Sequence, residues 1–257
     1  ARCGVARLVL IDLDHVAESN VNRQVQALGR TLGQAKALAL SERLADIHPG
    51  CELWPVEEFV APDNWPALLP APVDVVVDAC DQVRAKLALA AWSLREGVPL
   101  VCVGAAGGKR QAQRVEVADL VETTHDPLLA SLRQRLRKEA GAPRQGPIGL
   151  RCVFSRETVA LPPAACGAGA EGGSGEAGEA GVAMVDGSLS CHGYGSSVMV
   201  TATFGMVAAA QAVEALWAPP ARAEDNCMQD SADTALIEGL VEAKPLLPVI
   251  AVSEAPD

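Results

Sequence analysis

The chain has 257 residues, 49% of them apolar and 21% charged, with a mean hydropathy of +0.18. This composition excludes the disordered and fibrous classes and suffices for one large globular domain or two small ones. The formal charge of -11 is uneven, because residues 157–257 carry 2 basic against 14 acidic side chains while residues 1–156 carry 19 against 18. A chain of this sign has no global attraction for nucleic acid, so such a partner would need a local basic patch.

Residues 6–11 form a short apolar run ending in Asp12 and Asp14, the pattern of a buried parallel strand with carboxylates at its carboxyl end. Apolar residues at helical spacing from Gly33 to Ile47, stopped by His48-Pro49-Gly50, predict a helix, and residues 51–60 a returning strand. Val73–Val77 is a fully apolar strand closed by Asp78 and Asp81, Arg84–Glu96 a helix ended by Gly97, and Pro99–Val103 a strand stopped by Gly104, Gly107 and Gly108. This alternation implies right-handed crossovers and a Rossmann-like, mainly parallel α/β sheet with flanking helices. Residues 113–119 alternate as a half-exposed strand does, and Asp126-Pro127 opens a helix carrying Arg133, Arg135, Arg137 and Lys138.

Residues 164–181 are Gly/Ala/Glu-rich and read as a mobile insertion within a domain spanning 1–217; residues 218–257 read as an acidic, flexible tail. Val198–Trp217 is long enough to cross a bilayer. Its Gly, Ala, Ser and Thr content and lack of flanking basic residues favour a helix buried against the sheet. The eight cysteines (Cys3, Cys51, Cys80, Cys102, Cys152, Cys166, Cys191 and Cys227) include no C-x-x-C pair. With no visible secretory signal, this spacing points to a reduced, cytoplasmic setting in which the thiols act as small apolar residues.

Carboxylates at two strand ends, Asp12/Asp14 and Asp78/Asp81, with Arg23 and Lys36 between them, are the ingredients of a nucleotide site. Any one of them alone reads rather as a helix cap or a surface charge than as a ligand contact. Together with Ser19-Asn20-Val21-Asn22-Arg23-Gln24, Gly33 with Lys36, and Asp78-Ala79-Cys80-Asp81, the segment resembles the adenylating enzymes of the ThiF/MoeB/HesA superfamily, relatives of the ubiquitin-activating enzymes. Further runs narrow the resemblance to the tRNA threonylcarbamoyladenosine dehydratases. Among these runs are Phe59 to Asn64, Gly104 to Gly108, Asp126-Pro127-Leu128, Cys152 to Ser155 and Thr201 to Gly205.

The resemblance implies an ATP-dependent enzyme that uses Mg²⁺ and cyclises threonylcarbamoyladenosine at position 37 of tRNA through an acyl-adenylate. By carry-over, Asp12 holds the ribose, with Asp14 a lesser candidate; Asn20 and Arg23 face the triphosphate; Lys36 contacts the phosphates; and Asp81 holds the metal. Arg23, Lys36 and Asp81 are thus the expected catalytic set, and Arg133, Arg135, Arg137 and Lys138 the tRNA patch. A homodimer in which Arg23 reaches the partner's site, and a sulfur-relay protein partner, are also implied. The superfamily's first nucleotide element, a strand with a G-x-G-x-x-G loop, is expected upstream of residue 1, so the fold is read as truncated at its N-terminus. Activation of a ubiquitin-like sulfur carrier and a non-catalytic scaffold are the alternative functions; the missing zinc-type cysteine pairs speak against the carrier branch.

Overall fold

The computed structural model describes residues 1–159 and 195–217, together with the backbone of residues 249–252. Strand β1 (Arg7–Ile11) leads through α1 (Lys36–Ile47) to β2 (Glu52–Val56), and β3 (Val75–Asp78) leads through α2 (Val83–Glu96) to β4 (Leu100–Val103). β5 (Val115–Asp119), α3 (Pro127–Glu139), β6 (Arg151–Ser155), α4 (Val198–Trp217) and β7 (Val249–Val252) follow. The strands form one sheet in the order β2-β1-β7-β3-β4-β6-β5, parallel throughout except for the β5–β6 pair. A mainly parallel Rossmann-like sheet is therefore what the chain builds.

Local chemistry explains the boundaries. α2 closes on Gly97, whose left-handed conformation (φ 71°) ends the helix, and α3 opens on Pro127, with the Asp126 carboxylate accepting from the Leu129 N–H. α1 begins three residues later than the apolar spacing predicts. Residues 33–36 run antiparallel to 14–16, through Gly33 N–H to Val16 O, Val16 N–H to Gln34 O and Lys36 N–H to Asp14 O, each 2.8 Å. Those donors and acceptors are spent on the loop and not on a helical turn. β6 was not anticipated as a strand; it pairs with β4 on one side and β5 on the other. Pro55 lies in β2, at one edge of the sheet.

One sheet face packs Val9, Ile11, Val76 and Cys102 against Leu89 of α2 and Leu129, Leu132 and Leu136 of α3. The other packs Val75, Val101 and Val153 against Val200, Phe204, Ala208 and Ala212 of α4, a stripe of period four. α4 is thus held against the sheet along one side only; Met199, Met206 and Trp217 are 64%, 73% and 74% exposed. Among the described residues it is the one helix long and apolar enough to cross a membrane.

Two expectations concern residues beyond the continuous part. The insertion 164–181 lies outside the described residues, as does 218–248. The flexible-tail reading of 218–257 is corrected for residues 249–252: their backbone is β7, hydrogen-bonded between β1 and β3 near the middle of the sheet.

Beneath the carboxyl ends of β3 and β4 lies a fully buried ion pair. Lys86 Nζ is 3.1 Å from Asp78 Oδ2 and donates to the Val103 carbonyl at 2.7 Å, with both side chains completely excluded from solvent. Burial pulls the lysine down, but the Asp78 carboxylate and the neighbouring Cys102 and Cys80 outweigh it and hold the ammonium above the ordinary lysine range. Lys86→Met strands a buried carboxylate and is expected to cost about 3–5 kcal/mol. Asp78→Leu combined with Lys86→Met removes both charges and is expected to cost less than Lys86→Met alone; urea unfolding of both variants measures the difference.

Candidate active site at the carboxyl edge

Open parallel sheets present ligand sites outside the carboxyl ends of their strands, and the motif residues fall there. Asp12, at the end of β1, is 4% exposed, and its Oδ1 accepts the Asp14 N–H at 2.9 Å. Lys36, at the start of α1, is buried and pairs with Asp14, Nζ to Oδ2 2.8 Å. The antiparallel pairing of 14–16 with 33–36 is what carries this lysine, 22 residues on, back to the end of β1. Asp14 is therefore the counter-ion that orients Lys36.

Asn20 is buried in a short 3-10 turn, where its Oδ1 accepts the Ala17 N–H at 3.0 Å. The Arg23 guanidinium is half-exposed and folds back onto Ser19 O at 2.8 Å and Asn22 Oδ1 at 3.0 Å. Asn22 Nδ2 reaches the Ser196 carbonyl at 3.1 Å and so ties this loop to the residues preceding α4.

Asp81 follows β3 and lines a cavity of about 570 Å³. Gly104–Gly107, Pro127, Ser196 and the α4 residues Thr201 and Phe204 share its walls, while Val77 and Leu8 form part of its floor. Asp12, Asn20, Arg23 and Lys36 do not line it. The expected site is thus in two parts, one at the end of β1 and one at the end of β3, separated by β7. Two inter-strand spacings amount to about 10 Å, a span that a nucleotide's ribose and phosphates bridge. No group of three or more metal-ligating side chains is assembled among the described residues. The chemistry of the donors, two carboxylates with a lysine and an arginine between them, nevertheless fits a nucleoside triphosphate with a cation held partly by water and phosphate oxygens.

The four basic residues of the expected tRNA patch differ in how they are held. Arg133 is half-buried on α3 and donates from Nη1 to Leu120 O, Thr123 O and Thr123 Oγ1 at 2.9, 3.0 and 3.1 Å. One corner of its guanidinium is thereby fixed in the 120–123 turn. Arg135 pairs with Glu139 one turn on, Arg137 holds the Pro143 and Arg144 carbonyls, and Lys138 is exposed.

Four polar residues of this region were not singled out from the sequence for the part they play. Lys86 is one; its trace was a lysine in the otherwise apolar stripe of Ala85, Leu89, Ala90 and Trp92. Asp126, in the sequence the start of a helix and part of the Asp126-Pro127-Leu128 run, also accepts the Ala105 N–H through its Oδ2 at 2.9 Å. Lys109, 2% exposed, donates to the carbonyls of His125, Ser155 and Glu157. Burial pushes that ammonium below the ordinary lysine range against the pull of Asp126 and Glu157. The Glu157 carboxylate accepts the N–H groups of Arg110 and Gln111 at 2.9 and 2.8 Å.

The buried cysteines behave as core residues. Burial and the Asp78 carboxylate push the Cys80 thiol well up. A hydrogen bond with Cys152 and then burial do the same to Cys102, so neither is a ready nucleophile.

A doubly wound sheet with acidic and basic side chains converging on its carboxyl edge defines a nucleotide-binding α/β protein. The ThiF family model matches residues 1–230, and the chain belongs to the ThiF family. It is similar to the tRNA threonylcarbamoyladenosine dehydratase of Escherichia coli, 39% identical over 230 residues that cover 86% of this chain and 81% of that protein. The enzyme of the same name from Haemophilus influenzae is 34% identical over 220 residues, covering 84% and 78%. Among solved structures, the E. coli enzyme in complex with ATP superposes with a TM-score of 0.68 at 37% identity, covering 82% of this chain and 75% of that one.

Glu157 supplies a pH test. Burial raises its carboxyl, but the Gln111 and Arg110 N–H groups, with Lys109 nearby, outweigh that and hold it below its ordinary 4.5. A carboxyl depressed on folding lends stability above its unfolded pKa and loses it as pH falls through the folded value. The stability gap between the wild type and Glu157→Gln is expected to be full well above 4.5 and to close as pH falls below it, as read by Tm against pH.

Proposed function

We propose that this chain catalyses the ATP-dependent, cyclising dehydration of threonylcarbamoyladenosine at position 37 of tRNA. The observation that carries this reading is the placement of Asp12, the Asp14–Lys36 pair and Asp81 at the carboxyl ends of two strands flanking one position in the sheet. In this reaction the substrate carboxylate attacks the α-phosphorus of ATP, pyrophosphate leaves, and an internal nucleophile of the threonylcarbamoyl group then expels AMP as the ring closes. The elements of one water leave the nucleoside, its oxygen remaining on AMP. Attacking group and leaving group both come from the substrates, so the protein's task is to position and to neutralise charge.

Asp12 accepts from the ribose hydroxyls, Lys36 neutralises phosphate oxygens from its seat on Asp14, and Asn20 and Arg23 face the triphosphate. Arg23 must leave Ser19 and Asn22 to do so, and its half-exposed position supports that movement. Mg²⁺, held by Asp81 with water and phosphate oxygens, would supply charge neutralisation at the departing pyrophosphate. The half-exposed cavity beside Asp81 receives the acyl group. Arg133, Arg135, Arg137 and Lys138 form the tRNA-facing set, Arg133 with its Nη1 already engaged by the 120–123 turn. The exposed Met199, Met206 and Trp217 along α4 support self-association as a homodimer. A cytoplasmic setting accords with a tRNA substrate.

Asp81→Ala is expected to abolish ATP–pyrophosphate exchange, and with it the loss of one water's mass from the modified adenosine, while the unfolding midpoint stays put. Unchanged turnover would remove Asp81 from the site. Arg135→Glu with Lys138→Glu is expected to weaken tRNA binding at 100 mM salt, taken as roughly cellular ionic strength, and to reduce the slope of log K against log salt by about 2. An unaltered slope would place the tRNA on another face.

A further inference from the structure

The turn after β4, Gly104-Ala105-Ala106-Gly107-Gly108, forms the wall of the cavity next to Asp81, and it is anchored by charges that lie outside it. The Asp126 carboxylate divides its two oxygens: Oδ1 accepts the Leu129 N–H at 3.0 Å and so caps α3, and Oδ2 accepts the Ala105 N–H at 2.9 Å. Gly104 has no space for a side chain, since a Cβ there would collide with Asp126 Oδ2. On the far side of the turn, Lys109 Nζ holds the carbonyls of His125, Ser155 and Glu157 at 3.2, 2.7 and 3.2 Å. His125 adopts φ 58°, a left-handed conformation that costs a non-glycine residue about 1–2 kcal/mol. It directs the His125 carbonyl onto Lys109, one residue ahead of Asp126.

So firm an anchorage leaves two donors in hand. The N–H of Gly104 goes to Val153 O, that of Ala105 to Asp126 and that of Gly108 to Gly195 O. The N–H groups of Ala106 and Gly107 have no acceptor among the described residues, and both residues line the cavity. Paired backbone donors held rigidly beside a reacting acyl group stabilise the negative charge that develops on its oxygen. We propose that Asp126 is a positioning residue, which holds the Ala106 and Gly107 amides as an oxyanion-binding pair for the acyl group of the substrate. This assignment rests on the acyl-adenylate reading above and adds to it the place where the acyl oxygen binds.

The test separates positioning from folding. Asp126→Asn and Asp126→Ser both keep a good N-cap for α3, but neither retains two carboxylate oxygens. The Ser side chain has a single oxygen to share between Leu129 and Ala105. Three quantities are measured on each: kcat and KM with ATP and with threonylcarbamoyl-modified tRNA, Tm, and hydrogen exchange over residues 104–109. Expected are a modestly lowered Tm with both variants fully folded at the assay temperature, a KM for ATP within about twofold of the wild type, faster exchange in the turn, and a kcat lowered about 10- to 100-fold. An unchanged kcat with faster exchange would overturn the proposal, as would a Tm that falls in step with kcat and the affinity for ATP. A wild-type chain that leaves adenosine 37 unaltered would instead refute the dehydratase reading. Exchange over 104–109 would still decide whether Asp126 orders the turn, and unchanged exchange in both variants would refute that too.

Discussion

A single buried lysine sets the geometry of the carboxyl edge. Lys86 gathers the Asp78 carboxylate at the end of β3 and the Val103 carbonyl at the end of β4, so the last residues of two neighbouring strands are tied to one ammonium on α2. The other Asp78 oxygen takes the Cys80 N–H at 3.1 Å, which shapes the short loop that presents Asp81. One charge pair thereby governs both the loop bearing the expected metal ligand and the point where β4 gives way to the glycine-rich turn. Because the pair is fully buried, its parts are interdependent: one charge without the other is far worse than neither.

From that point the edge is built outward in layers of backbone acceptors and donors. Asp126 and Glu157 take backbone N–H groups of the 105–111 segment, while Lys109 gathers carbonyls from the segments on either side of α3. On the opposite side of β7 the same logic recurs with Asp14 and Lys36. There the two side chains form an ion pair before any ligand arrives. A site organised in this way pays little reorganisation when negatively charged substrates bind.

The parts of the fold and site that were legible in the sequence are those encoded by near neighbours. Asp12, Asp14, Asn20, Arg23 and Lys36 lie within 25 residues of one another, and the strand ends at Asp12 and Asp78 follow directly from apolar runs. What escaped depends on distant partners. Arg133 is indistinguishable in sequence from Arg135 and Arg137, and only the turn at 120–123 decides that its Nη1 is held there. Lys86 sits in the apolar stripe of α2, and only the distant Asp78 carboxylate explains a charge there. β7 needs two strands, β1 and β3, to define the slot it enters, and a short apolar run in an acidic stretch gives no sign of that slot.

Pro55 has a consequence for how the molecule meets others of its kind. In β2 the Glu52 N–H donates to Ala6 O and the Val56 carbonyl accepts from Asp12 N–H, so residues 52, 54 and 56 address β1 while 53 and 55 address the open side. A proline at 55 therefore gives up no bond within the sheet, and it deletes a donor from the rim where another extended chain would zip on. The sheet is sealed against growth on that flank by one missing hydrogen. Crowded copies of this protein that associate by adding a strand are directed away from β2 and towards the other edge, β5.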